Sequence, residues 1–188
     1  MLYLIFIIGV IFGSFYGVVG TRLPEEKSIV KPGSHCEKCG HMLKWYENIP
    51  ILSYIFLGGH CTKCKSPIGF VYFLTELLSG CLFALCYKVF GINYQFYIAI
   101  ILSSLVIIIF VSDSKYMIIN DSPLVLSAIL IFIIKWLDTG VVSALMSLVY
   151  GLVIFGVAYL LMLFGSLAFK QEALGGGDIK LSFVAGMV

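Results

Sequence analysis

Apolar runs of membrane-spanning length follow one another along most of the chain, and one long polar stretch interrupts them. The first uncharged run covers residues 2–19, and the polar stretch covers residues 21–67. Later runs cover residues 68–90, 94–111, 123–137 and 141–169, and a sixth begins at Ile179. Because a bilayer core requires about 20 apolar residues per helix, the pattern predicts an all-α polytopic membrane protein with about six transmembrane helices.

Composition excludes a soluble globular domain. Hydrophobic residues make up 61% of the 188 residues and charged residues only 12%, whereas soluble domains carry roughly 25% charged residues. The first run lacks a preceding basic segment, so we expect a retained helix and not a secretory signal. The sixth run is too short to complete a span, and we expect the C-terminal spans to lie beyond the sequence.

Basic residues are concentrated on one side of the predicted helices. The polar stretch carries seven of the twelve lysines and arginines, and alternation adds Lys115, Lys170 and Lys180 to the same side. The positive-inside rule therefore predicts a multi-pass protein of the cytoplasmic (inner) membrane with its N-terminus outside. We expect three parts: a first transmembrane helix (residues 1–21), a cytosolic zinc-binding loop (22–67) and a transmembrane core (68–188).

Two Cys-x-x-Cys pairs, separated by 21 residues, lie in the polar stretch. Their members are Cys36, Cys39, Cys61 and Cys64. Four thiolates on two tight turns complete a tetrahedral structural zinc site, similar to a zinc ribbon. Two disulfides are the alternative, and the reducing cytosolic side favours zinc. His35, His41 and His60 flank the cysteines, and we expect them to be surface residues.

Aromatic side chains, an acid and an amide occur close together in residues 43–54. Trp45, Glu47 and Asn48 could form a small-molecule pocket with their neighbours. They could equally belong to an amphipathic segment at the membrane interface, where Trp and Tyr are enriched. From the residues alone we favour the interfacial position.

Two acids stand at the ends of apolar runs. Asp113 ends the third run, and Asp178 opens the sixth, directly after Gly175, Gly176 and Gly177. Because successive spans cross the membrane in opposite directions, the third span should end, and the sixth should begin, at the cytosolic boundary. We therefore expect both acids at that boundary. Paired carboxylates in a low-dielectric site share a proton, so one can take a proton from water while the other polarises a peptide carbonyl. Aspartic proteolysis is therefore one use that the pair could serve.

Other uses of these acids stay open at this point. Glu76, Asp113 and Asp178 could serve a proton-coupled transporter, because acids within membrane segments often carry protons or ions. A non-catalytic assembly factor of a pilus or competence machine is a second alternative. The acids could also simply pair with Lys115 or Lys180.

Several short motifs together resemble one family, the bacterial type IV prepilin peptidases with their Gly-x-Gly-Asp motif. The matching residues, in family order, are Gly13-Ser14-Phe15, Arg22-Leu23-Pro24, Ser34-His35-Cys36 with Cys39, Trp45 to Pro50, Glu76-Leu77-Leu78, Asp113, and Gly175, Gly177 and Asp178. The order and spacing of these fragments make the resemblance specific. Glu47 replaces the family's usual Asp, and Asn120 replaces its usual Pro before Asp121, which we expect to cap the fourth helix.

The resemblance implies a function and a set of site residues. It implies cleavage of the basic leader from prepilins or pseudopilins, after a glycine at the cytosolic membrane face, with Asp113 and Asp178 as the catalytic pair. Gly175, Gly177 and Lys180 would support that site. It also implies methylation of the new N-terminus with S-adenosylmethionine as cofactor, beside the structural zinc that the cysteine pairs predict. The site for methyl transfer would contain Trp45, Glu47 and Asn48. The expected partners are the prepilin and the lipid bilayer, with no nucleic acid.

Overall fold

The fold of this protein is given by a computed structural model, which describes residues 1–169 and 175–188. Lys170, one of the residues in the orientation argument, lies outside the described residues. The helices in chain order are α1 (Leu2–Arg22), α2 (Leu52–Phe56), α3 (Phe70–Phe90), α4 (Tyr94–Tyr116), α5 (Asp121–Thr139), α6 (Val141–Phe169) and α7 (Gly176–Gly186), with one 3₁₀ turn (Trp45–Asn48) before α2.

The prediction of an all-α membrane protein is confirmed. Within residues 1–169 and 175–188, five helices are long and apolar enough to cross a membrane: α1, α3, α4, α5 and α6. Their surfaces carry many exposed apolar side chains, which suit a lipid environment because lipid-facing helix surfaces are apolar. The sixth predicted span corresponds to α7, which has 11 residues.

The chain forms two compact units. The first contains Met1–Gly91 and Val106–Met117, and the second contains Ile92–Leu105 and Ile118–Val188. In the first unit, α1 packs directly against α3. A Cβ atom at Gly13 would lie 2.7 Å from the Cα atom of Glu76, so only glycine allows this approach. Small residues at four-residue spacing commonly permit such helix contacts in membranes.

Helix α4 extends beyond its predicted end at Val111. It continues to Tyr116, and Met117 follows with a positive φ of 54°. The Met117 N–H donates to the Asp113 carbonyl at 3.0 Å, which satisfies one of the unpaired carbonyls at the helix end. Asp113 therefore lies in the last turn of the helix and not after it.

The second unit contains α5, α6 and α7. Helix α7 packs against α6, where a Cβ atom at Gly186 would lie 2.8 Å from the Ile154 Cβ atom. Lys135 of α5 donates from its Nζ atom to the Met187 carbonyl at 2.6 Å, directly after the last turn of α7. These contacts fix the position of α7 relative to its two neighbours within this unit.

Candidate metal centre and catalytic residues

The two Cys-x-x-Cys pairs form turns of the same construction. An isolated bridge joins His35 to Met42 around the first turn, and another joins His60 to Pro67 around the second. In each turn the N–H group four residues after the leading cysteine donates to that cysteine's carbonyl, at 2.9 Å and 3.0 Å. We call residues 35–42 the first cysteine turn and residues 60–67 the second cysteine turn.

The four sulfur atoms converge into one group, which we call the cysteine cluster (Cys36, Cys39, Cys61 and Cys64). All four Sγ atoms lie within 4.8 Å of one another. The Cys36 and Cys64 sulfurs are 3.7 Å apart, and the Cys39 and Cys61 sulfurs are 3.9 Å apart. A tetrahedron with Zn–S bonds of about 2.3 Å has edges of about 3.8 Å. The cluster therefore has the dimensions of a four-thiolate metal site.

The sulfur distances do not fit the disulfide alternative. All four cysteines of the cluster are free thiols, and a disulfide requires sulfurs about 2.05 Å apart. Two sulfur pairs less than 4 Å apart, Cys36 with Cys64 and Cys39 with Cys61, join the first cysteine turn to the second. The cluster can thus bind a metal ion that holds both turns together.

The thiols of the cluster differ in how readily they ionise. A hydrogen bond with the Ser66 hydroxyl, and others from backbone N–H groups, lower the pKa of Cys36 to about 6. The His41 N–H also favours the Cys39 thiolate, but desolvation and the neighbouring thiols raise the pKa of Cys39 to about 11. Four thiolates so close together require a cation to offset their charge. This donor set suits a soft divalent metal such as zinc.

The flanking histidines have hydrogen-bond partners of their own. The Nδ1 atom of His35 lies 2.9 Å from the Gly33 carbonyl, and that of His60 lies 2.6 Å from the Gly58 carbonyl. The only metal-binding group of three or more His, Cys, Asp or Glu residues found among the described residues is the cysteine cluster. The histidines are therefore not members of the cluster.

Glu47 is buried within the 3₁₀ turn that carries Trp45 and Asn48. The residue is 6% exposed, whereas Trp45 is 80% exposed. The Thr62 hydroxyl, the Lys44 N–H and His41 all donate to the Glu47 carboxylate. The Thr62 hydrogen bond, followed by the other two donors, lowers the pKa of Glu47 below its usual value.

A pocket of about 340 Å³ lies between α1 and the polar stretch of residues 21–67, which we call the polar loop. Ser14 and Phe15 of α1 line one side, and Ser34, Asn48 and Pro50 line the other. This volume lies within the range of small-molecule sites. Residues 43–54 therefore contribute to a pocket, and they also expose the apolar side chains of Trp45, Tyr46 and Leu52.

Two side chains hold the polar loop against the helices of the first unit. The Arg22 guanidinium donates to the carbonyls of Ser28, Pro32 and Gly33, at 3.1, 2.7 and 3.2 Å. Glu76, buried in α3, accepts the Ile51 N–H at 2.6 Å. Neither contact could be read from the sequence, because the partners are backbone groups with no distinctive residue type. Glu76 thus provides the hydrogen-bond acceptor for a backbone N–H group of the polar loop.

Asp113 lies in the last turn of α4, and its side chain is exposed. Two residues earlier, Val111 packs against α1, where a Cβ atom at Gly20 would lie 2.7 Å from the Val111 Cβ atom. Two residues later, the Lys115 Nζ atom lies 3.6 Å from a Glu37 carboxylate oxygen. The end of α4 is therefore held by α1 and by the polar loop, and Lys115 is directed to Glu37.

Asp178 lies in the first turn of α7, and its side chain is also exposed. Its N–H donates to the Gly175 carbonyl at 3.1 Å, which closes the turn that begins the helix. A Cβ atom at Gly177 would lie 2.7 Å from the Ile119 Cβ atom, so the segment before α5 is the close neighbour of this glycine. An acid at this position is favoured by the positive end of the helix dipole.

Lys180 pairs with Asp121, the residue predicted to cap the fourth helix. The Lys180 Nζ atom lies 2.7 and 2.8 Å from the two Asp121 carboxylate oxygens. The N-cap residue of α5 is Asn120, whose side chain makes no capping hydrogen bond, and the helix begins at Asp121. The capping assignment was wrong because a lysine 59 positions away competes for the carboxylate. Lys115 and Lys180 are thus both engaged with other acids.

Family comparisons divide the chain into two matched parts. A model of the bacterial peptidase A24 N-terminal domain matches residues 7–90, which include the cysteine cluster. A model of the type IV leader peptidase family matches residues 100–188, which include Asp113 and Asp178. No solved structure gave a significant match.

Three similar proteins bear the name prepilin leader peptidase/N-methyltransferase. The protein of Myxococcus xanthus is 38% identical over 185 residues, which cover 97% of this chain and 54% of the relative. The protein of Bacillus subtilis is 38% identical over 188 residues, 100% of this chain and 73% of the relative. That of Vibrio cholerae is 31% identical over 189 residues, 93% of this chain and 72% of the relative.

The chain spans about half the length of the Myxococcus relative and nearly three quarters of the other two. Identity above 30% extends along almost all of its residues, and the two family models together cover both compact units. These matches agree with the resemblance found in the short motifs. The chain therefore belongs to the type IV leader peptidase family.

Proposed function

We propose that this protein is a membrane aspartic endopeptidase that removes the basic leader from type IV prepilins or pseudopilins. The observation that carries the proposal is the family match over residues 100–188, because it contains both candidate carboxylates. Asp113 and Asp178 each lie at one end of a helix and have exposed side chains, so both are accessible to a peptide.

The two carboxylates would act as a coupled pair. One ionised carboxylate accepts a proton from the attacking water, and the protonated partner donates a hydrogen bond to the peptide carbonyl. As the bond breaks, the leaving amine takes up a proton. The two acids titrate as a pair, so neither residue is assigned as the permanent base.

Charge supports a cytosolic position for this chemistry. With the N-terminus outside, the polar loop and both aspartates lie on the cytosolic side of the inner membrane, where a basic leader would remain. We expect both acids near the membrane boundary, at the depth of the scissile bond, because each lies near the end of a helix. Proton-coupled transport and non-catalytic assembly gain no support from any of the comparisons.

A second activity, N-methylation of the new N-terminus, is proposed for the region of the polar loop. The relatives carry N-methyltransferase in their names, and the pocket beside Asn48 has a size suited to a nucleoside-containing ligand. S-adenosylmethionine would supply the methyl group when bound. Trp45 and Asn48 are exposed and would contact ligand or substrate, while Glu47 lies beneath them.

Zinc is proposed as the structural metal of the cysteine cluster. The sulfur distances and the four-thiolate donor set support this assignment. The metal would be held by four protein ligands, so it would stabilise the polar loop and not take part in cleavage.

The direct test of the main activity is co-expression with a candidate prepilin in cells that lack other leader peptidases. We expect a shorter pilin whose mass, measured by mass spectrometry, corresponds to loss of the leader. A prepilin with the glycine before the scissile bond replaced by a bulky residue should stay uncut. Full-length prepilin in the presence of the membrane-inserted protein would contradict the proposal.

Replacement of Gly177 by Leu should reduce leader removal by about 100-fold, since small misplacements of catalytic groups have effects of this order. The new side chain would meet Ile119 and displace the first turn of α7, which carries Asp178. Gly176→Leu is the matched control, because a Cβ atom at Gly176 has no neighbour within 4 Å. Equal loss of cleavage in both variants would show that crowding against Ile119 is not the cause.

Replacement of Glu47 by Ala should reduce methylation more than cleavage. The change removes the acceptor that orders the turn carrying Trp45 and Asn48, whereas Asp113 and Asp178 lie elsewhere in the sequence. Mass spectrometry of mature pilin separates the cleaved, unmethylated product from the methylated one. Glu26→Ala, which changes an exposed acid of the same polar stretch, is the control. A fully methylated product from Glu47→Ala would remove Glu47 from the methyl-transfer site.

A further inference from the structure

Glu47 receives hydrogen bonds from three different segments of the polar loop. The Thr62 hydroxyl, in the second cysteine turn, donates to Oε1 at 2.5 Å. The Lys44 N–H, at the start of the 3₁₀ turn, donates to Oε2 at 2.8 Å. His41, in the first cysteine turn, lies 3.2 Å from Oε2 through Nε2. One carboxylate therefore contacts both cysteine turns and the 3₁₀ turn between them.

The burial of this carboxylate shows that its contacts are structural. A charged group whose side chain is only 2% exposed is costly unless hydrogen-bond donors replace its water. An ionised carboxylate only accepts hydrogen bonds, so His41 must carry its proton on Nε2 to take part. The three hydrogen bonds to the Glu47 carboxylate offset the loss of its hydration. A residue this enclosed has little access to a methyl donor or to a pilin amine.

The cysteine turns have few other polar links to each other. The sulfurs of the cysteine cluster connect them, and the Ser66 hydroxyl lies 3.5 Å from the Cys36 sulfur. These links involve the groups that would ligate the metal. The carboxylate of Glu47 joins the same two turns at a second place, through Thr62 and His41, with no ligand atom involved.

We propose that Glu47 is a positioning residue that joins the two cysteine turns to the Trp45–Asn48 turn. Retention of the metal and the shape of the pocket lined by Ser14, Ser34 and Asn48, which we call the Asn48 pocket, then depend on one another. We call this arrangement the Glu47 link (Glu47 with Lys44, His41 and Thr62). It assigns Glu47 no direct contact with the transferred methyl group. The part that concerns methylation rests on the proposed function, whereas the part that concerns metal retention does not.

The first test measures zinc release from the purified full chain in detergent or nanodiscs, with a chromogenic chelator in excess and no substrate present. Thr62→Val keeps the shape of Thr62 but removes the hydroxyl that donates to Glu47. We expect zinc release about tenfold faster than in the unchanged protein, since a hydrogen bond to a charged group has an effect of this order. Thr62→Ser retains the hydroxyl and should release zinc at close to the unchanged rate.

The second test combines substitutions. Glu47→Ala should also accelerate zinc release, and the double variant with Thr62→Val should release zinc no faster than Glu47→Ala alone, because both remove the same hydrogen bond. Unchanged zinc release in Thr62→Val would overturn the Glu47 link. Loss of methylation in Glu47→Ala with unchanged zinc release would also overturn it, because that result would mean that the Glu47 carboxylate takes part directly in methyl transfer.

The third test separates the link from the proposed methyl-transfer site. Methylation and cleavage are measured on the same pilin for Thr62→Val and Thr62→Ser. Reduced methylation with normal cleavage in Thr62→Val, restored in Thr62→Ser, supports coupling of the metal site to the Asn48 pocket. Accelerated zinc release with normal methylation would overturn that coupling while leaving leader removal by Asp113 and Asp178 untouched.

Discussion

Leader removal should fall by about three orders of magnitude or more when either Asp113 or Asp178 is replaced by Asn. Asn keeps the shape of Asp and can donate a hydrogen bond, but it cannot accept the proton of the attacking water, and loss of a general acid or base has an effect of this size. The measurement is the rate of conversion of prepilin to mature pilin by purified enzyme. Membrane insertion and folding should be unchanged, because both side chains are exposed.

The matched control for these variants is Asp138→Asn, which changes another exposed aspartate, near the end of α5. It should cleave at close to the unchanged rate. The double variant of Asp113 and Asp178 should be no slower than either single one, because residues that act as a unit have non-additive effects. A near-normal rate in either single variant would refute the catalytic pair and restore weight to transport and assembly functions.

Purified protein should contain about one zinc ion per chain, and Cys61→Ser should reduce this content to near zero. Cys61 is the most buried member of the cysteine cluster, with 2% exposure, so its sulfur cannot be replaced by another donor from solvent. Elemental analysis measures the metal. Limited proteolysis should show a more accessible polar loop in the variant, since metal binding and folding of such loops are coupled.

Cys81→Ser is the control, because Cys81 is an exposed cysteine of α3 outside the cluster. It should retain its zinc. Protein isolated under reducing conditions without metal, yet with an ordered loop, would contradict the zinc assignment. Leader removal should be reduced less than zinc content in Cys61→Ser, because the proposed catalytic acids belong to other segments.

The charge pairs were the least predictable part of the structure. Lys180 was expected to support Asp178, and it contacts Asp121 on α5. Side chains of both partners are more than half exposed, so the pair contributes only about 0.2–1 kcal/mol to stability. Its effect is mainly to fix the first turn of α7 beside the start of α5. Residues 59 positions apart gave no periodic signal that could reveal this contact.

The helices and the cysteine cluster could be predicted from the sequence because local physics determines both. Long apolar runs must form helices in a bilayer, since backbone groups there have no water to bond. Two Cys-x-x-Cys pairs in one polar loop predict a common metal site, because each pair already places two thiols on one turn. The glycines of α1 likewise predicted close helix packing, and a Cβ atom at Gly13 would lie 2.7 Å from the α3 backbone.

Only the tertiary structure decided how single polar side chains are used. The family resemblance implied a place for Glu47 in the methyl-transfer site, but the fold buries it between the two cysteine turns. Similarly, Glu76 accepts a loop N–H, and Asp121 accepts a distant lysine. A carboxylate can be satisfied by any donor that the fold brings within about 3 Å. Hydrophobic periodicity and residue type determine which segments form helices. They carry no information about which hydrogen-bond donor the fold brings next to a given carboxylate.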